Sequence, residues 1–161
     1  MLVHLGAATT DICMVENGVI VLTRSVPTGG VAVSRGLASE LGLELAQAEQ
    51  YKRTYGLDVR QLQGKVRNAL LPIMRTLFEE MRKVGQMYSS TYSGKLKQVI
   101  LAGGGAYLPE VSGDVARELG VEVVIGNPFA GISMDDQQAK RMGGIGAVFA
   151  VAVGLALRGL E

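Results

Sequence analysis

Alternation of apolar and polar residues predicts three strands at the start of the chain. The extended runs cover residues 2–5, 11–15 and 19–26. Asn17-Gly18 separates the second run from the third, and Asn-Gly between alternating segments is a strong signal for a two-residue hairpin turn. We therefore expect a three-stranded antiparallel opening, ended by the turn at residues 27–30.

Helical spacing of apolar residues follows this turn. Residues 31–41 and 44–55 are predicted as two helices, divided at Gly42 and closed by Gly56. From residue 58 onward apolar positions recur every three or four residues, which predicts a long amphipathic helix ending in the serine-rich stretch 89–94. Pro72 is expected to kink or divide this helix, because proline lacks an N–H and its ring clashes with the preceding turn.

Strands and helices alternate in the last third of the chain, at residues 98–102, 111–119, 121–125 and 141–160. Within the closing helix, the uncharged segment 142–157 is shorter than the ~20 residues that a bilayer requires. Its apolar character comes largely from Ala and Gly. We therefore expect a closely packed buried helix there and no transmembrane segment.

Composition narrows the class of protein. The 161 residues include 16 basic and 15 acidic side chains, a balance that does not resemble the basic footprint of a nucleic-acid-binding protein. Glycine, with 22 residues, has about twice its usual share, which favours tight turns or backbone close to a ligand. The single cysteine, Cys13, and a start without a basic leader favour the cytoplasm.

A small-residue turn follows the first predicted strand. It consists of Gly6, Ala7, Ala8, Thr9 and Thr10. Backbone amides at its start, short side chains and paired hydroxyls can together hold phosphate oxygens. Taken alone this is a weak signal, since glycine turns after strands are common.

A second glycine turn, Gly103-Gly104-Gly105, follows the strand predicted at 98–102 and lets backbone approach a flat or anionic ligand. Glu49 and Lys52 lie three residues apart on one face of a predicted helix. They are read either as a nucleotide contact or as an ordinary solvent-exposed ion pair.

In combination and order, these features resemble the second half of the actin-like ATPase fold. Within that superfamily, the chain resembles the PilM family of type IV pilus assembly proteins over essentially its whole length, which corresponds to about the C-terminal half of a family member. The matching segments are Gly6 to Thr10, Asn17-Gly18, Arg24 and residues 27–30, 48–52, 103–109, 127–129 and 154–158.

The resemblance implies an α/β, ribonuclease-H-like actin-type domain with a mixed sheet flanked by helices. Residues 1–42 and 94–161 would form its core, and residues 43–93 a small inserted helical subdomain. It also implies ATP with Mg²⁺ as ligand. The small-residue turn from Gly6 to Thr10 would face the phosphates, Glu49 and Lys52 the ribose and base, and the Gly103-Gly104-Gly105 turn the adenine.

One position departs from the family pattern. His4 stands where the family usually has an aspartate, and a neutral imidazole cannot replace a carboxylate on a hard cation. Adjacent Asp135 and Asp136 are read as solvated charges near a helix start, so no metal site and no catalytic residue are predicted. The family's first phosphate loop lies before the matched region, and we expect no hydrolysis by this chain alone.

The resemblance further implies a cytoplasmic scaffold, peripheral to the inner membrane through protein partners of the pilus assembly platform. A PilN-like cytoplasmic peptide would bind the other half of a family member, and the oligomeric state stays open. Two alternatives remain: an FtsA-like division protein, disfavoured because no amphipathic tail follows residues 154–158, and an active ATP-hydrolysing relative, disfavoured by His4.

Overall fold

Five strands form one mixed sheet in the computed structural model, which describes residues 1–142 and 144–158. The sheet order is β3-β2-β1-β4-β5. Antiparallel pairing joins β1 to β2 and β2 to β3, whereas β1, β4 and β5 run parallel. The strands are β1 (Leu2–Leu5), β2 (Thr10–Glu16), β3 (Val19–Val26), β4 (Gln98–Ala102) and β5 (Glu122–Ile125).

Six α-helices accompany the sheet in the part of the chain described. They are α1 (Gly30–Leu41), α2 (Leu45–Tyr55), α3 (Lys65–Tyr92), α4 (Val111–Leu119), α5 (Asp136–Met142) and α6 (Ala150–Leu157). Short 3₁₀ segments lie at Gly104–Tyr107 and Gly146–Phe149. The predicted α/β class with a mixed sheet flanked by helices is confirmed.

The core lies between one face of the sheet and the helices packed on it. Val3 of β1 pairs with Ile12 of β2 and with Leu101 of β4, and all three side chains are fully buried. Helix α3 contacts β2, β3 and α1, and presents buried residues such as Leu77 and Met81. Helix α3 therefore supplies much of the apolar surface that covers β2 and β3.

The long helix begins later than predicted and continues as one helix through its proline. It begins at Lys65, because Leu62 and Gln63 both have positive φ, which ends any right-handed helix there. Pro72 does not divide it, since the proline is exposed and the helix stays packed through its buried face. The helix ends at Tyr92, within the serine-rich stretch 89–94, as predicted.

The single buried helix predicted over residues 141–160 is wrong. Helix α5 ends at Met142, the chain then forms the 3₁₀ segment, and α6 is a separate short helix without a buried residue. Leu155 is 65% exposed. Residues 143, 159 and 160 lie outside the described part. A uniformly apolar sequence lacks the periodicity that would indicate which side of a helix is covered.

None of the helices in the described ranges is long and apolar enough to span a membrane.

Candidate functional site

A cavity of about 860 Å³ opens at the carboxyl ends of β1 and β4. The two strands are parallel neighbours, so the turns that follow them meet at the same edge of the sheet. The start of α1 and one face of α2 complete much of the wall. The lining includes Gly6, Ala7, Thr10 at the start of β2, Gly29, Gly30, Glu49, Lys52, Arg53, Gly103, Gly104 and Gly105.

Backbone hydrogen bonds join the turn after β1 to the start of α1. The amide of Gly30 donates to the Gly6 carbonyl at 2.9 Å, and the amide of Val31 donates to the Ala7 carbonyl at 2.9 Å. A Cβ on Gly29 would lie 2.6 Å from the Ala7 carbonyl oxygen. Only glycine at this position allows the two segments to come so close.

The two threonines of this turn have internal partners for their hydroxyl groups. Thr10, which is buried, donates to the Thr28 carbonyl at 2.7 Å, and Thr9 donates to Asp11 at 3.1 Å. Of the five residues predicted here, Gly6, Ala7 and Thr10 line the cavity, whereas Ala8 and Thr9 lie outside its lining. Both hydroxyl protons are therefore used in hydrogen bonds within the protein.

The turn after β4 is fixed by close backbone packing against β1. Gly103 has a φ of 80°, and a Cβ on it would lie 2.5 Å from the Leu5 carbonyl oxygen. A Cβ on Gly105 would lie 2.6 Å from the Cβ of Leu5. Gly104 has open space around it. All three predicted glycines line the cavity, and Gly104 is the one that leaves room for a ligand.

His4 lies between the two glycine turns. A Cβ on Gly6 would be 3.3 Å from its Cε1 atom, and a Cβ on Gly103 would be 3.1 Å from its Nε2 atom. Among the described residues of the lining, Glu49 is the one carboxylate, and cationic side chains already bind it. Across the described ranges no three His, Cys, Asp or Glu residues cluster as a metal site. The described lining residues therefore offer no unpaired carboxylate to Mg²⁺.

An ionic cluster forms the wall contributed by α2. Glu49 Oε2 accepts from Lys52 at 2.7 Å and from Ser34 at 2.5 Å, and Glu49 Oε1 accepts from Arg53 at 2.6 Å. Burial raises the pKa of Glu49, but the hydrogen bonds from Lys52, Ser34 and Arg53 outweigh this effect and bring the pKa down to about 2. The carboxylate is therefore ionised at any physiological pH.

Sequence reasoning missed four residues of this arrangement. Gly29 and Gly30 were recognised as a turn but not as part of the site, although a Pro-x-Gly-Gly sequence signals a close backbone approach. Arg53 could have been found from its four-residue spacing to Glu49. Ser34 gave no signal, because its role depends on how α1 packs against α2.

This mixed sheet, with ligand-sized space beside two glycine turns, has the fold of the actin-like ATPases. The structure of MreB 5 of Spiroplasma citri bound to AMPPNP shares this fold, with a TM-score of 0.61 over 97% of this chain and 51% of that chain at 17% identity. The ethanolamine utilization protein EutJ from Carboxydothermus hydrogenoformans aligns with a TM-score of 0.68, at 25% identity, over 97% of this chain and 48% of that one.

The family follows from the match of residues 1–160 to the model described as Type IV pilus assembly protein PilM. The chain belongs to this family, which confirms the resemblance drawn from the sequence. A chain of the PilM-PilN type IV pilus biogenesis complex has a TM-score of 0.85 and 27% identity, covering 99% of this chain and 45% of that chain.

The ethanolamine utilization protein EutJ of Escherichia coli strain K12 is also similar, with 27% identity over 110 residues. That alignment covers 68% of this chain and 35% of the relative. The chain thus spans between about a third and a half of the length of the proteins that it matches.

Proposed function

We propose that the cavity binds ATP or a closely related nucleotide, as one side of a two-sided site. The observation that carries this proposal is the convergence of two glycine turns and the α2 wall on one cavity of about 860 Å³, a size typical of small-molecule sites. Similarity to a protein solved with AMPPNP supports the ligand class. Gly6, Ala7 and Thr10 would face the phosphates, with Ala8 and Thr9 at the rim.

Glu49 would accept a hydrogen bond from a ribose hydroxyl, because its side chain is 34% exposed and its carboxylate oxygens retain lone pairs. Gly103, Gly104 and Gly105 would pack along the adenine. Lys52 and Arg53 supply positive charge near the phosphates. This assignment keeps the predicted roles of Glu49 and of the glycine turn, moves Lys52 from the ribose and base to the phosphate side, and adds Arg53.

Nucleotide binding without hydrolysis is the second part of the proposal. Phosphoryl transfer needs cations on the transferred group and a residue that orients the attacking nucleophile. Within residues 1–142 and 144–158, the cavity lining has His4 and an already paired Glu49 in place of a free carboxylate. We therefore assign no catalytic residue and expect metal-independent binding.

The third part concerns the biological role. Membership of the PilM family and similarity to the PilM-PilN complex support a scaffold that joins a PilN-like partner in the inner-membrane assembly platform. Attachment to the membrane from the cytoplasm would then run through protein partners. Binding of the partner's cytoplasmic peptide would use the part of a full-length family member that lies beyond the matched region.

Titration calorimetry of the chain with ATP, in EDTA and in Mg²⁺, tests the ligand assignment. We expect weak binding that is equal in the two conditions, because one wall of the site supplies only part of the contacts. His4→Asp should introduce Mg²⁺-dependent binding, since it restores a carboxylate between the turns. Absence of heat from both proteins at millimolar ATP would contradict nucleotide binding.

Two further results would contradict the remaining parts. Tight binding by the wild type that requires Mg²⁺, or single-turnover hydrolysis of ATP, would overturn the non-catalytic assignment. Failure of a full-length family member carrying this region to co-purify with a PilN-like cytoplasmic peptide would count against the scaffold role.

A further inference from the structure

The segment that leads into α6, residues 144–148, forms a further wall of the cavity. Gly144, Ile145 and Val148 belong to the cavity lining. Ile145 is 46% exposed and Val148 is 48% exposed. Both side chains therefore present apolar surface to the cavity, whereas the wall contributed by α2 presents charged groups.

Two hydrogen bonds attach this segment to the turn after β4. Both involve Ala147, whose side chain is fully buried. Its carbonyl accepts from the Gly103 amide at 2.8 Å, and its amide donates to the Tyr107 hydroxyl at 3.0 Å. A buried residue needs partners for both of its backbone polar groups. Because Gly103 and Tyr107 supply them, the apolar wall and the glycine turn are held together.

The Asn127-Pro128-Phe129 turn packs against the same segment. The Phe129 amide donates to Asn127 Oδ1 at 3.1 Å, which closes the turn. A Cβ on Gly146 would lie 3.6 Å from Asn127 Oδ1 and 3.6 Å from Phe129 Cδ2. The rings of Phe129 and Phe149 have centroids 6.2 Å apart. This turn therefore restricts the movement of the segment in addition to the two hydrogen bonds of Ala147.

We propose that Ile145 and Val148 form an apolar wall that contacts the base of the nucleotide, and that Tyr107 is a positioning residue whose hydroxyl holds this wall beside the Gly103-Gly104-Gly105 turn. The proposal rests on the proposed function, which places the base along that turn. Contact between a base and aliphatic side chains is favourable because both surfaces leave water. Phosphate groups gain nothing from such contact, so the wall acts on the base and not on the phosphates.

NMR titration of the 161-residue chain with ATP and with tripolyphosphate, both in EDTA, tests the contact. Tripolyphosphate carries the phosphate groups of ATP without the ribose and base. Val148→Ala should weaken ATP binding about threefold, because it removes apolar surface from the contact, and should leave the affinity for tripolyphosphate unchanged. Ile145→Ala should behave in the same way. Val151→Ala is the matched control and should change neither affinity, since Val151 is 55% exposed on α6 and lies outside the cavity lining.

Tyr107→Phe tests the positioning role, because it removes the hydroxyl and retains the ring. Amide hydrogen exchange at Ala147, followed by NMR without a ligand, should accelerate about fivefold, as expected for the loss of one hydrogen bond. Exchange at the Leu43 amide, which donates to the Ala38 carbonyl at 2.9 Å at the end of α1, should not change. The affinity for ATP should fall about twofold, because the wall is less preorganised. Tyr55→Phe, at a half-buried tyrosine outside the cavity lining, is the control and should alter none of these values.

Equal weakening of ATP and tripolyphosphate binding in Val148→Ala would overturn the contact with the base. Unchanged exchange at Ala147 in Tyr107→Phe would overturn the positioning role, and so would equal acceleration at Ala147 and Leu43, because it would indicate general destabilisation. Absence of ATP binding by the wild type would overturn the proposed function and the contact together. ATP binding by the wild type that Val148→Ala and Ile145→Ala leave unchanged would overturn the contact alone.

Discussion

The two glycine turns that line the cavity are held in place by different means. Side chains and amides distant in sequence fix the turn after β1, through Lys52, Ser34 and the start of α1. Direct packing of backbone against Leu5 fixes the turn after β4. The first turn therefore depends mainly on hydrogen bonds to α1 and α2, with one close glycine contact at Gly29, and the second depends mainly on glycines packed against β1.

This difference predicts how each turn responds to change. A hydrogen-bonded turn can be loosened gradually, by substitution at a distance or by a change of pH. A turn fixed by close backbone contact tolerates no added atom at the contact and is indifferent to pH. Measurements of the free energy of unfolding and of local amide exchange can therefore separate the two turns.

Gly103→Ala should have the largest effect. The φ of 80° is strained for any residue with a Cβ, and the added atom would lie 2.5 Å from the Leu5 carbonyl oxygen. We expect a loss of about 4 kcal/mol in the free energy of unfolding, measured with urea. Gly42→Ala is the matched control, because Gly42 has a φ of 62° but nothing within 4 Å of its Cβ position. Its loss should be about 1 kcal/mol, and equal losses would contradict the close-packing account.

Gly29→Ala should have the next largest effect, about 2 kcal/mol in the same measurement. Its Cβ would lie 2.6 Å from the Ala7 carbonyl and push α1 away from the turn. Exchange at Gly30 and Val31 should accelerate together with this loss. Gly30→Ala, whose Cβ would meet Lys52 Nζ at 3.4 Å, is the control and should cost less than about 1 kcal/mol. A reversed order of the two would refute this reading of the turn.

The pH dependence of the free energy of unfolding should report the ionic cluster of α2, which adjoins the turn after β1. Glu49 has a pKa of about 2 in the folded protein, below its ordinary value of 4.5. The ionised group therefore stabilises the folded state fully above about pH 4.5, and this contribution is lost as the pH falls toward 2. Urea midpoints of wild type and Glu49→Gln should converge over that interval. Glu79→Gln, at an exposed position, is the control, and a pH-independent gap for Glu49→Gln would contradict the prediction.

Gly104→Ala should have the smallest effect on stability, within about 0.5 kcal/mol, because its Cβ position is open. Its methyl group would enter the cavity that we assign to the nucleotide. ATP affinity, measured by calorimetry, should therefore fall although the urea midpoint does not. Unchanged affinity would place the nucleotide away from this turn.

Much of the fold could be predicted because local signals agree with the final structure. The Asn17-Gly18 hairpin and the strand at residues 98–102 were placed correctly, and Asn17 and Gly18 do have the positive φ values such a turn requires. The start of α3 was misplaced because left-handed backbone at Leu62 interrupts a pattern that is helical in spacing. Left-handed backbone at a residue with a side chain raises the local conformational energy. A leucine in the sequence gives no indication that it will adopt this conformation.

The candidate site was predictable in position but not in detail. The resemblance implied that both glycine turns face one ligand, and the strands before them, β1 and β4, are parallel neighbours. The hydrogen-bond partners of Lys52 and Thr10 were not predictable, because a carbonyl group carries no sequence signal and its accessibility depends on how helices pack. The exposure of α6 was missed for the related reason that composition does not tell which surfaces are covered.

The pairing of β1 with β4 also bears on the order in which parts of the chain fold. The β1-β2-β3 meander closes through short loops, whereas β1 meets β4 only after all of α1, α2 and α3 have intervened. Long-range parallel pairing closes large loops and is slow. Because the two glycine turns come together only when this pairing forms, we expect the cavity to form late in folding. A nucleotide would then slow unfolding and leave the folding rate unchanged.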